Sequence, residues 1–243
     1  MSEYYRESLD LNTHLKTNYK QSLEATIGNI LKCCFNDRGI DVEMETFSAL
    51  LQTMNALEFD EDNSVFCSYD LNSNTIVFNK NKNIDKDKQY YDFLSTVMDI
   101  ISTNYIDGKF TQGLIFKDEN GEQYGKVLND RLKDRLILLS FGETKYNESV
   151  KDFFIDSPND SATLLDKMFV QLDSVISSND LISFYINGRS DLLLQRLGDY
   201  GKAYIKNLDK YNKENSALVR NECELLMKSI EAIKKQENSQ KIA

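Results

Sequence analysis

The chain has 243 residues, 41% of them hydrophobic, enough to bury a substantial core within one large domain. A formal net charge of -10 and a pI near 4.8 repel phosphates over most of the surface, so nucleic acid and anionic membranes are set aside as main partners. No apolar run approaches the roughly 18 to 20 residues that span a bilayer, and the N-terminus MSEYYRESLDLNTHLK is too polar for a signal peptide, so a cytoplasmic protein is expected.

Four scattered cysteines, Cys33, Cys34, Cys67 and Cys223, read as reduced packed thiols rather than a disulfide framework. A single proline, Pro158, and long stretches of 3.6-residue period predict a mainly helical chain with a small β element. Between Leu15 and Cys34, the positions Leu23, Ile27, Ile30, Leu31 and Cys34 recur at helical spacing, and Asn36, Asp37 and Gly39 then stop the helix. A second helix is expected over Glu43 to Leu57. In VFCSYDLNSNTIVFNK, two runs of β-formers flank an Asn/Ser turn, which predicts a hairpin.

The polar loop NKNIDKDKQ leads into YYDFLSTVMDIISTNY, read as a helix over Tyr90 to Tyr105. Beyond it, a short strand is expected at Gly113 to Lys117 and a turn at Asn120-Gly121. A helix from about Gln123 to Ser140 ends before Gly142. Further helices are expected over Ser161 to Ser177, over DLISFYING up to Gly188, and over SDLLLQRLGDYG with Ser190 as N-cap. The last helix, Glu214 to Lys235, places Val219, Cys223, Leu226, Ile230 and Ile233 on one stripe, followed by a frayed tail.

The central helix has two faces. Tyr90, Phe93, Leu94, Val97, Met98 and Ile101 form its apolar stripe, and Asp92, Ser95, Thr96, Asp99 and Thr103 lie opposite. A zincin's metal helix is built this way, with two His at i and i+4 and a general-base Glu beside the first. That frame falls here on Ser95-Thr96-Val97-Met98-Asp99.

In order and spacing, NTIVFNKN, YYDFLSTVMDIIS, GEQYGKVLNDRLKDRL and LDSVISSNDLISFYINGRSDLLLQRL resemble a group of zinc metallopeptidase-like proteins of Gram-positive bacteria. The resemblance covers roughly residues 65 to 200. It implies a degenerate site. Ser95 stands at the first zinc-binding His, Thr96 at the general-base Glu and Asp99 at the second His. Asn129 keeps the family's Asn, Asp130 replaces the ligand Glu, and Asp134 replaces the following acid. Arg131 and Lys133 put positive charge where a cation would sit.

The residues alone lead to the same chemistry. His14 is the only histidine, so one chain offers no two-His zinc site, and the Thr96 hydroxyl cannot take a proton from water near neutral pH. Asp99, Asp130 and Asp134, with Ser95 nearby, would suit a hard cation such as Mg²⁺, Mn²⁺ or Ca²⁺. Against that, Asp130 and Asp134 read as members of a solvated face with Lys126, Arg131 and Lys133 as helical partners, each pair contributing about 0.2 to 0.5 kcal/mol.

Other motifs are weaker. Cys33-Cys34 has no neighbouring His to activate it. DGKF, from Asp107 to Phe110, lacks the glycine and Ser/Thr of a phosphate loop, and Asp118 to Glu122 does not match a calcium loop. In SFYINGRSDLLLQRL, Phe184, Tyr185 and Ile186 should close a helix on the core, and Leu192, Leu193, Leu194 and Leu197 should bury the next one. Arg189 and Arg196 read as solvated surface.

The expected architecture is a single α+β domain over 1–243, mainly α. It has a helical part at 1–60, a zincin-like core at 65–210, and an amphipathic helix with its tail at 211–243. The expected function is non-catalytic, without zinc or another cofactor: a degenerate metallopeptidase homologue that binds a protein or peptide, or regulates a partner. The alternatives are a hydrolase using a divalent cation held by Asp99, Asp130 and Asp134, and a structural adaptor acting through the C-terminal helix.

Overall fold

A computed structural model of the protein describes residues 23, 27–28, 30, 39–40, 50, 52–59, 65–79, 84–106, 108–141, 172, 175–214 and 216–242. They are mainly helical with short strand pairs, an α+β arrangement. The chain divides into two compact units that interleave along the sequence. The first comprises Met1–Gly113, Lys133–Asn147 and Ile186–Gly188, and the second Leu114–Leu132, Glu148–Tyr185 and Arg189–Ala243.

In the first unit, Leu23, Ile27 and Ile30 are helical and buried at the expected spacing, and Gly39 has φ 68°, the left-handed conformation of a helix stop. His14, Leu31, Cys33, Cys34, Asn36 and Asp37 lie outside the described residues. The helix predicted to reach Leu57 is overruled earlier. Asn55–Phe59 is a strand, β1, which pairs in parallel with β3 (Thr75–Asn79). Ala56, Leu57 and Glu58 favour helix locally, but pairing with a strand some twenty residues away decides their conformation. The 1–60 segment is therefore not wholly helical.

The predicted hairpin is present, with β2 (Cys67–Asp70) antiparallel to β3 in the order β1-β3-β2. Its turn ends at Asn74, a non-glycine residue with φ 47°. The Asn74 side chain holds that conformation from three sides. Its Nδ2 donates to Leu50 O at 3.0 Å and Thr53 Oγ1 at 2.9 Å, and its Oδ1 accepts from the Tyr69 hydroxyl at 2.8 Å.

Helix α1 spans Lys86–Ile101 and packs on β2. It begins four residues before the predicted Tyr90 because Asp85 caps it, accepting from Lys88 N at 3.2 Å. It stops at Ile101 rather than Tyr105, because Thr103–Ile106 forms β4, paired antiparallel with β5 (Lys109–Gln112) around Gly108 at φ 77°. Phe93, Leu94, Val97, Met98 and Ile101 are buried, as the apolar stripe requires, each contributing about 1.5 to 3 kcal/mol for full burial. Asp92 and Thr96 on the opposite, polar face are buried too, and so is Thr103, which lies beyond the helix in β4.

In the second unit, β6 (Phe116–Lys117) and β7 (Gln123–Tyr124) form a small hairpin with Gly121 in its turn. The predicted strand at Gly113 to Lys117 is thus only its last two residues, and Gln123-Tyr124 is strand rather than helix. Helix α2, Lys126–Phe141, follows, its residues up to Leu132 being assigned to this unit. It has no acidic residue in its own first turn. Asp209 supplies one from a distance, accepting from the backbone N–H of Gly125 at 2.5 Å, Lys126 at 3.2 Å and Val127 at 2.8 Å.

Most of the helix expected over Ser161 to Ser177 lies outside the described residues, although Leu172 is helical and buried. Helix α3 (Ser178–Ile186) ends in a turn at Gly188, and α4 spans Ser190–Leu197. Ser190 is not the N-cap. Arg189 occupies that position without a side-chain cap, and Ser190 Oγ instead accepts from Ile115 N at 2.7 Å. Of the four leucines expected to bury, Leu193 and Leu197 do so, and Leu192 and Leu194 are half-buried.

Helix α5, Gly201–Glu214, was not among the expected elements, yet it buries Tyr204, Ile205, Leu208 and Tyr211. It packs against α6, Ala217–Ile242, which continues as helix through the tail expected to fray. Val219, Cys223 and Ile230 are buried as predicted, with Met227 in place of the half-buried Leu226 and Ile233. The C-terminal stripe is therefore covered within this unit.

Candidate functional site

The polar face of α1 is tied to its neighbours residue by residue. Asp92 Oδ2 accepts from Phe66 N at 2.7 Å, just before β2, and Lys88 Nζ donates to both carboxylate oxygens at 3.0 and 3.2 Å. One turn on, Thr96 Oγ1 donates to Asp92 O at 2.8 Å and is also hydrogen-bonded with the Cys67 thiol of β2. Burial pushes the Cys67 thiol far above its ordinary range, and the charges of Asp92 and Asp99 push the same way. Cys67 is therefore a protonated, packed thiol with no nucleophilic character near neutral pH. Ser95 is half-buried on this helix.

Asp99 is the charged centre of the face. Its Oδ2 lies 2.6 Å from Lys133 Nζ, with the two side chains only 26% and 22% exposed. Burial raises the Asp99 carboxyl above the ordinary aspartate value, and Lys133 opposes that rise without cancelling it. Asp134, next to Lys133, accepts from the Tyr91 hydroxyl of α1 at 3.2 Å. The half of α2 that belongs to this unit is thus fastened to α1 by two polar contacts. Lys133 does not serve as a helical partner on a solvated face, as the simplest sequence reading expected.

The Asp99 carbonyl also anchors the β4–β5 hairpin, accepting from Thr103 Oγ1 at 2.8 Å and Gln112 Nε2 at 3.4 Å. On the hairpin's other face, Asn104 Nδ2 donates to Ile186 O at 2.8 Å, and Gly188, at φ 62°, lies so close that a Cβ there would come within 2.9 Å of Ile106 Cδ1 and 3.1 Å of Asn104 Nδ2. Beyond this fixed base, Tyr105 and Phe110 stand directly opposite each other. Their ring centroids are 5.2 Å apart, and the residues are 59% and 46% exposed. Sequence reasoning missed this pair, although the dipeptide Asp107-Gly108 between a Tyr and a Phe at equal distances is a hairpin signature.

The remaining predicted positions belong to the second unit. Asn129 clamps the Leu114 peptide, accepting from its N–H at 2.8 Å and donating to its carbonyl at 2.7 Å, with a further bond to Gly125 O at 3.2 Å. That is a structural use of its amide. Asp130 is exposed. Among the described residues, no group of three or more His, Cys, Asp or Glu side chains is gathered that could hold a metal ion.

Among the described residues, no helix is long and apolar enough to cross a membrane. No family model, curated protein or solved structure matches the chain.

Proposed function

We propose that the protein is a non-catalytic, zincin-like module that binds a protein or peptide, its degenerate site spent on structure. The observation that carries this reading is the Lys133 ammonium on the Asp99 carboxylate at 2.6 Å. A positive charge supplied by the chain meets the one acid that α1 retains in the zinc-binding frame. Thr96, in the general-base position, gives its hydroxyl proton to a backbone carbonyl. Neither group is poised to activate water. In favour of a binding role, the Tyr105–Phe110 pair is exposed on a hairpin whose base is bonded, through Thr103, to the Asp99 backbone carbonyl, and exposed aromatics on a fixed base are the common anchors of protein contacts.

The test is a random-peptide display selection on the wild-type protein, repeated on a Tyr105→Ser/Phe110→Ser double variant. Peptides should be enriched on the wild type, bind the variant at least about tenfold more weakly, and emerge uncleaved. Two results would overturn the proposal: chelator-sensitive cleavage together with one tightly bound zinc per chain by elemental analysis, or no peptide whose binding depends on the pair.

A further inference from the structure

We draw no further inference here: the strongest candidate, the exposed Tyr105–Phe110 patch at the tip of the β4–β5 hairpin, already serves the proposed function, and nothing in the structure shows what covers it.

Discussion

Lys133 Nζ meets Asp99 Oδ2 at 2.6 Å across 34 positions of sequence, joining α1 to the middle of α2. Because burial already disfavours the Asp99 carboxylate, removing Lys133 leaves a charge that neither water nor protein satisfies well. Lys133→Met should therefore cost about 1 to 3 kcal/mol at neutral pH. Asp99→Asn added to it should restore part of that loss. Urea unfolding of both single variants and the double variant gives the coupling directly, and strict additivity would dissolve the pair as an energetic unit.

The same pair has a pH signature. A carboxyl whose folded pKa is raised binds its proton more tightly in the native state. Its contribution is fully present below the ordinary aspartate value and is lost as pH rises through the raised one. Wild-type stability should thus fall relative to Asp99→Asn as pH climbs through that window. The penalty of Lys133→Met should shrink at acid pH, where Asp99 is neutral. Parallel pH dependences for wild type and Asp99→Asn would contradict the assignment.

Asp209 is expected to matter to a helix it does not belong to. Its carboxylate takes three backbone N–H groups at the start of α2, so Asp209→Ala should destabilise by about 1 to 2 kcal/mol and Asp209→Asn by less. Chemical denaturation checks the order. An alanine variant as stable as wild type would show that water replaces the cap without loss.

Two threonines of the first unit should respond oppositely to valine. Thr111 Oγ1 is buried without a hydrogen-bond partner among the described residues, so Thr111→Val should be neutral or stabilising by up to about 1 kcal/mol. Thr96 is 1% exposed and its hydroxyl is bonded to Asp92 O and Cys67, so Thr96→Val should be destabilising. Thermal melts of the pair decide it, and equal shifts of the same sign would count against the assignment of the orphaned hydroxyl.

Divalent cations should leave the melting temperature unchanged at millimolar Mg²⁺, Mn²⁺ or Ca²⁺, since the Asp99 carboxylate is already matched by Lys133. A saturable rise that disappears in Asp130→Ala would favour the cation-dependent hydrolase instead.

On α6, Ile230→Ala should cost about 2 to 5 kcal/mol, whereas Leu218→Ser, at 67% exposure, should stay within about 0.5 kcal/mol. Comparable losses at both positions would mean that Leu218 is covered in solution.

The sequence by itself determined what local chemistry controls. The apolar stripe of α1, the β2–β3 hairpin, the turn at Gly121, the stop after α3 and most of the α6 stripe follow from periodicity and turn residues, because each depends on neighbours within a few positions. The single histidine likewise limits metal chemistry whatever the fold. Tertiary structure decided the rest. Ala56-Leu57-Glu58 became strand because β3 offered a ladder, Ser190 gave up its capping role to hold Ile115, and Asp209 started a helix some eighty residues upstream. Asp92 and Thr96 could not be recognised as buried, because a polar side chain is readily buried only when a partner meets it. Those partners, Phe66 N and Cys67, reach α1 only through the packing of β2.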